Sequence, residues 1–478
     1  MKLDKLASLV DEHRFIDDPD LLSRYVVASD RGAITPRAVL MPSSVQQVQL
    51  IVQQASEMEN LTLVPGLAGT DGVMAFGGEE HVVLLDMRSM NRIEQVFPED
   101  GIAVLQPGVT YAQLDAALTS LGPPLTIGFT MGPRHATVAG GCLIGGVTSQ
   151  SWTLGRLHEA LIGLQVVLED GQIIESGPSY LWESEGVLSS LPPQTFTRPH
   201  DGPGIVTKLA VRLARRHQHT SQQISLCDDV AAGLQVLSDA CASGTAEQGI
   251  ALSNAALKVM LGVTAPPVSV PTGDPRVVVV LSTSAQVAEQ LTLREALLRE
   301  ASLRKTAGGK APRPPIDARS LSRVVPGLVD FSASSIDLSQ VPLPTGHVLQ
   351  WLGFVGPMSR LQEAIGQGHD LLQSAARPDA WIAQSIDGGR QVEVKWLQVE
   401  PRHLTLSDEP LVGYHALWEI MIALGYEAYH YPAALLHELR APGHESPPSP
   451  SPAPSRKLTR VLPASRQPTL SRPNDHET

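Results

Sequence analysis

Cysteine is scarce in this chain. Cys142, Cys227 and Cys241 are the whole complement, scattered without metal-ligand spacing. Neither a disulfide framework nor a cysteine-rich zinc site is therefore expected. Aromatic residues make up only 4% of the chain, too few for a base-stacking platform. Positive charge is the minority sign, with 36 Lys and Arg against 49 Asp and Glu and a net charge of −13. No basic stripe stands out, so nucleic acid is not an expected partner. Apolar runs such as Val277–Leu281 are short, far below the about 20 residues that span a bilayer as a helix. The opening MKLDKLASLVDEH lacks the unbroken apolar core of a secretory signal. These absences lead to the expectation of a cytoplasmic protein that is not transmembrane.

What is present suits buried cores. Apolar residues form 42% and charged residues 18% of 478 positions, a globular composition with length for about two to four domains. From Pro442 onward the composition turns to Pro, Ser and scattered Arg. Such a stretch cannot bury enough apolar surface to offset its chain entropy. Residues 441–478 are expected to be a disordered tail, either passive or a docking segment for a partner subunit.

Residues 1–215 alternate strand and helix signals. Ser43 and Gln46 have capping-box spacing, and Val45, Val48, Val52 and Ala55 form an apolar helical stripe behind them. Strands are expected at Leu61–Val64, His81–Leu85 and Ile102–Leu105. Thr110 and Gln113 repeat the capping-box spacing before a helix with Tyr111, Leu114 and Leu118 inward. Leu161–Leu168 and Gln172–Ile174 flank Glu169-Asp170-Gly171, a hairpin signal. Residues 216–440 begin a second pattern. Helices are expected at Asp229–Ala242, Ala285–Arg304, Pro357–Ala376 and Gly413–Gly425. Strands are expected at Val277–Ser282 and His347–Val355, with a hairpin across Asp387-Gly388-Gly389. This alternation suits helices on one face of an antiparallel sheet.

The stretch VPGLAGTDGV, residues 64 to 73, follows a short apolar strand. Consecutive N–H groups in a tight turn make an anion-binding nest, and glycine permits close approach and positive φ. Pro65, Gly66, Leu67, Ala68, Gly69, Thr70 and Asp71 thus form a candidate phosphate-binding turn. Leu67 and Ala68 stand in its middle, where bare backbone is usual.

Seven segments in order give residues 14–215 a family resemblance. They are FIDDPDLLSRYVVASD, PRAVLMPSSVQQVQLIVQQA, VPGLAGT, VVLLDMRSMNRI, VLQPGVTYAQLDAAL, TVAGGCLIGGVTSQ and the pair LIGLQVVLEDGQIIESG with GPGIVTKLAVRL. Together they resemble the FAD-binding PCMH-type domain of vanillyl-alcohol-oxidase-type flavoproteins, nearest to the branch of glycolate oxidase and D-lactate dehydrogenase. The resemblance implies an α+β fold: a two-lobed FAD-binding domain over 1–215 and an α+β cap domain with an antiparallel sheet over 216–440. It implies FAD with the pyrophosphate at Pro65–Asp71; no histidine or tyrosine sits within that loop, so non-covalent binding is expected. It places Pro107, Gly108, Val138, Gly140, Gly141 and Gly145 near the cofactor, and Ile205 and Val206 at its adenine side through backbone groups.

The implied activity is hydride transfer to flavin from a small hydroxylated substrate, a 2-hydroxy acid by family branch, with an unassigned electron acceptor. The resemblance does not extend to catalytic residues. Tyr414, His415, Tyr429, His430 and Tyr431 form the densest polar-aromatic cluster of the second region. His415, Tyr414 and His430 are the candidates for accepting a hydroxyl proton, against a plain helix-packing role. Arg377 and Arg390 are candidate carboxylate clamps, His135 could face the flavin, and Cys142 suits a small buried thiol. The altered loop, and the lack of a His-Gly-Asp-Gly-Asn-His-like stretch, leave an alternative open. That alternative is a non-catalytic or accessory subunit of an oxidase complex that uses the fold for assembly or binding. No metal site is expected.

Overall fold

The computed structural model describes residues 3–23, 25, 27–29, 32–58, 61–66, 74–75, 81–122, 124–182, 191–197, 204–216, 220–244, 246, 248–260, 276–284, 316–317, 337–401 and 413–430. The tail, the helix expected at Ala285–Arg304, Tyr431 and the loop residues Leu67–Asp71 lie outside them.

The first sheet runs β1 (Phe15–Ile16), β2 (Ala38–Leu40), β3 (Leu61–Gly66) and β4 (His81–Asp86), in spatial order β1-β2-β4-β3. Strands β2 and β3 both pair parallel to β4. Parallel neighbours need a crossover, and α1 (Val45–Ser56) supplies it between β2 and β3. The helix is capped one residue later than the spacing of Ser43 and Gln46 suggests. Ser44 Oγ accepts from the Gln47 N–H, and Gln47 Oε1 accepts from the Ser43 N–H at 2.8 Å. Ser-Ser followed by Gln-Gln offers two registers, and the chosen one turns Ile51 inward with Val48, Val52 and Ala55. Strand β3 also outlasts its expected end, so Pro65 and Gly66 pair with Leu85 and Asp86.

The second sheet contains β5 (Ile93–Phe97), β6 (Ile102–Leu105), β7 (Leu161–Leu168), β8 (Ile173–Ser176) and β9 (Gly204–Arg212), in order β8-β7-β9-β6-β5. Helix α2 (Tyr111–Ser120) begins with the expected capping box of Thr110 and Gln113, and Tyr111, Leu114 and Leu118 are buried. Helix α3 (Val138–Leu143) is short, with Val138 and Cys142 fully buried in the core of this lobe. Gly171 takes φ +80° in the expected hairpin between β7 and β8.

The third sheet has eight strands, all antiparallel: β10 (Thr220–Cys227), β11 (Gln248–Ser253), β12 (Val277–Ser284), β13 (Ile316–Asp317), β14 (His347–Pro357), β15 (Trp381–Ile386), β16 (Gln391–Pro401) and β17 (Glu427–His430). Their order is β13-β10-β12-β11-β15-β16-β14-β17. Helices α4 (Val230–Ala242), α5 (Leu361–Ser374) and α6 (Tyr414–Ala423) pack on one face, around Trp381, Trp396 and Phe354. The other face carries Leu252, Ile382 and Leu397, which pack with Met131 of the first half of the chain. Helix α5 starts later than Pro357 because Met358–Arg360 forms a 3-10 turn first. Strands β10, β11, β13 and β17 are additions to the strands named from sequence, and β15 and β16 are the arms of the hairpin expected across Asp387-Gly388-Gly389.

Candidate functional site

A narrow cleft lies between α3 and the large sheet. Thr137, Gly141 and Gly146 line one wall, and Trp351, Lys395, Tyr429 and His430 line the other. The α3 wall is held by local geometry. Thr137 Oγ1 accepts from the Gly140 N–H at 3.1 Å, an N-cap. The Gly146 N–H donates to the Gly141 carbonyl at 2.8 Å, and the Val138 N–H to the Val109 carbonyl at 3.0 Å. The wall therefore presents main chain and small side chains at these positions, beside the larger Met131, Ile144 and Val147.

The opposite wall follows from strand alternation. Residues two apart on β16 share a face, so Glu393 and Lys395 lie on one side of the sheet while Val392, Val394 and Trp396 pack into the helix-covered core. The side chain of Lys395 is 5% exposed and that of Glu393 only 1%, and the two form an ion pair. The Tyr429 hydroxyl donates to the same Glu393 oxygen, Oε1. Lys395 Nζ stands 5.8 Å from the centroid of the Tyr429 ring. Burial lowers the Lys395 ammonium below the ordinary lysine range, and Glu393 pulls it back up. Tyr429 lies across Gly353 of β14, where a Cβ would come within 2.7 Å of the ring. Beyond it His430 stacks on Trp351, with centroids 4.6 Å apart and planes 20° apart.

Three contacts dock the segment after α3 to the sheet. Arg156 is 8% exposed; its Nε donates to the Gly145 carbonyl at 2.9 Å and its Nη1 to Glu427 Oε2 at 2.7 Å. Gln384 Nε2 of β15 donates to the Thr148 carbonyl at 2.8 Å. Trp152 packs beside Gly389 of the hairpin between β15 and β16.

The structure separates the residues that the sequence groups together. Tyr414 is fully buried in the helix-side core, and burial raises its hydroxyl well above the ordinary tyrosine range. His415 sits one position along α6 with its ring nitrogen 3.3 Å from Glu419. His430 and Tyr429 do reach the cleft. Arg377 pairs with Glu400 at 2.5 Å and Arg390 is 81% exposed beside Asp387, and neither is among the residues that line the cleft. His135 is exposed in a turn. Cys142 is wholly buried, and burial raises its thiol far above the ordinary range.

Among the expected cofactor contacts, Pro65 and Gly66 end β3 at the carboxyl edge of the parallel strands, where α/β sheets bind ligands. Pro107 is buried, and Gly108 packs so tightly that a Cβ would lie 2.7 Å from the Met87 and Met90 carbonyls. Val138, Gly140 and Gly141 are buried in α3. At Gly141 a Cβ would meet the Tyr111 hydroxyl at 2.1 Å, so this glycine is required by packing as well as by the cleft. Gly145 takes φ +66° against Arg156 and His158. Ile205 and Val206 pair with Val167 and Val166 of β7 on one side. On the other side β6 pairs β9 only across Leu209–Arg212, so no strand occupies that edge at Ile205–Val206 among the described residues.

These features fit a flavin. Gly132, Ala136, Gly141 and Gly146 leave main chain open to a flat ring system between the apolar side chains of Met131, Ile144 and Val147, and the open β9 edge offers backbone polar groups. Lys395, Glu393 and Trp351 were not singled out from sequence. The signal for Glu393 and Lys395 is the alternation in Gln-Val-Glu-Val-Lys-Trp, which sets both on one face of a strand.

Residues 36–177 match the family described as an FAD binding domain. The chain is 28% identical over 223 residues to the D-2-hydroxyglutarate dehydrogenase of Stutzerimonas stutzeri, a match covering 45% of each. It is 26% identical over 212 residues to the glycolate oxidase subunit GlcD of Bacillus subtilis, covering 44% of this chain and 43% of that one. The matched part thus spans less than half the length of these curated relatives. The fold match is broader. A substrate-bound p-cresol methylhydroxylase superposes with a TM-score of 0.70 at 17% identity, covering 90% of this chain and 89% of that one. The 4-ethylphenol oxidase of Gulosibacter chungangensis gives 0.70 at 16%, covering 91% and 89%. Residues 36–177 are thus an FAD-binding domain, and the chain as a whole shares the fold of p-cresol methylhydroxylase.

Proposed function

We propose that this flavoprotein is an FAD-dependent oxidoreductase that removes a hydride from the carbinol carbon of a small 2-hydroxy acid. One observation carries the substrate class: a buried cation, Lys395, lines the cleft that α3 and the large sheet enclose. An ammonium has three donors, so Lys395 can serve Glu393 and a substrate carboxylate together. Burial strengthens such a contact by excluding water. Two relatives bear the names of enzymes of D-2-hydroxyglutarate and glycolate, both 2-hydroxy acids.

In this reading residues 1–215 hold FAD without a covalent link, and residues 216–440 cover it. The Pro65–Asp71 segment meets the pyrophosphate, Pro107-Gly108 and Val138–Gly145 border the ring, and the backbone of Ile205 and Val206 meets the adenine end. Bound FAD supplies the two-electron oxidant. The chain's own groups orient the acid through Lys395, wall it with Trp351 and His430, and keep water away from the reacting carbon. The tail is a docking segment for a partner, and the compartment is the cytoplasm.

The purified protein should show flavin absorption bands, and acid precipitation should release all the flavin. Anaerobic D-2-hydroxyglutarate, D-lactate or glycolate should bleach the bands. A protein that stays colourless after incubation with FAD would favour a non-catalytic accessory subunit that uses the fold for assembly.

A further inference from the structure

We infer that Tyr429 is the group that accepts the substrate's hydroxyl proton, and that Glu393 behind it is the proton's destination. This inference rests on the oxidation proposed above. Its basis is the sharing of one oxygen: Glu393 Oε1 accepts from both the Tyr429 hydroxyl and the Lys395 ammonium. Glu393 is 1% exposed and does not line the cleft, whereas Tyr429 and Lys395 do. One carboxylate therefore positions the two polar groups that a substrate would touch.

The direction of the phenol hydrogen bond decides the chemistry. A phenol has one hydrogen to donate. With that hydrogen given to Glu393, the Tyr429 oxygen can only accept from a group in the cleft. A substrate hydroxyl meets an acceptor there, and its carboxylate meets the Lys395 ammonium beside the same ring, 5.8 Å from the ring centroid. His430 stacks on Trp351 and its ring tilts against that of Tyr429, with centroids 6.4 Å apart.

The step balances. The substrate O–H bond breaks and its proton passes to the Tyr429 oxygen as the phenol's own proton passes to Glu393 Oε1. The C–H bond breaks with its electron pair leaving as hydride for the FAD oxidant, and a C=O bond forms. Glu393 ends neutral and Tyr429 ends as it began. A buried carboxylate is a suitable store for the proton because relay through a fixed hydrogen bond needs no side-chain movement.

The test is binding of two acids that cannot be oxidised. 2-Hydroxy-2-methylpropanoate has no hydrogen on its carbinol carbon, and its O-methyl ether carries a methyl group in place of the hydroxyl hydrogen and so cannot donate. Calorimetry on the flavin-loaded protein should show the hydroxy acid binding about tenfold more tightly than the ether, the scale of one hydrogen bond. Tyr429→Phe should abolish that ratio while leaving flavin content and the affinity for the ether unchanged. Glu393→Gln should also reduce the ratio, because the amide can donate to the phenol and turn its hydrogen toward the cleft. Equal binding of the two acids by the unaltered protein, failure of both to bind, or a ratio that survives Tyr429→Phe overturns the inference. A protein that keeps the Tyr429-dependent ratio yet is bleached by no hydroxy acid instead overturns the proposed reaction.

Discussion

Arg156 and Glu427 join the two halves of the cleft through an ion pair, Nη1 to Oε2 at 2.7 Å. The two ends differ in environment, with Arg156 8% and Glu427 70% exposed. Arg156 also donates to the Gly145 carbonyl, in the turn that follows α3. Its guanidinium is thus a buried peg between the turn after α3 and β17, the strand that carries Tyr429 and His430.

The asymmetry gives the first prediction. Glu427→Gln should cost under about 1 kcal/mol, as expected for a pair open to water on one side. Arg156→Ala should cost about 2–3 kcal/mol, because it leaves the Gly145 carbonyl and the cavity unfilled. Urea unfolding of both variants checks the ranking. Equal losses would remove Arg156 from its role as the peg.

Gly141 and Tyr111 make the second. Gly141→Ala places a methyl group 2.1 Å from the Tyr111 hydroxyl and 2.8 Å from Leu157. Overpacking of this kind costs about 1–3 kcal/mol. Adding Tyr111→Phe removes the nearest atom and should recover part of the loss. Thermal unfolding of the single and double variants measures the coupling, and strictly additive losses would reject the contact as its origin.

Much of this lobe was legible from local chemistry. Thr110 and Gln113 announce α2 because a capping box is a property of four consecutive residues. Asp170-Gly171 announces its hairpin for the same reason. Ser43 was one residue off because two overlapping boxes compete, and only packing of Ile51 decides between them. The cleft residues obeyed different rules. Lys395 and Tyr429 lie on strands that both flank β14, and that non-local pairing brings them to one carboxylate. Tyr414 resembled a site residue in sequence because it neighbours other polar aromatics, yet the helical turn of α6 sends it into the core.

His369 and Asp379 give a pH-dependent prediction. His369 Nδ1 lies 2.5 Å from Asp379 Oδ2, and this hydrogen bond raises the imidazole above the ordinary histidine range. Burial pushes the Asp379 carboxyl up while His369 pulls it down; the close contact favours the charged pair. A histidine raised in the folded state contributes its full stability below the unfolded value of about 6.5 and loses it as pH rises through the folded value. The stability gap between the protein and His369→Gln should therefore be widest near pH 5.5 and shrink toward pH 8.5. Urea midpoints across that range test it, and a gap that widens with pH would reverse the sign.

Lys395 and Glu393 supply the last prediction, because a buried ion pair and its separate halves behave differently. Lys395→Met leaves the Glu393 carboxylate in a site that is 1% exposed, without its cation. Removing one partner of such a pair costs about 3–5 kcal/mol, whereas replacing both with uncharged groups of similar volume is often neutral. The double variant Lys395→Met with Glu393→Gln should therefore regain most of the stability lost by Lys395→Met alone. It should not regain affinity for 2-hydroxy-2-methylpropanoate, since the ammonium that meets the carboxylate is gone. Recovery of stability without recovery of binding separates the pair's folding role from its proposed substrate role. A double variant that folds normally and binds the acid as tightly as the unaltered protein would remove Lys395 from substrate recognition altogether.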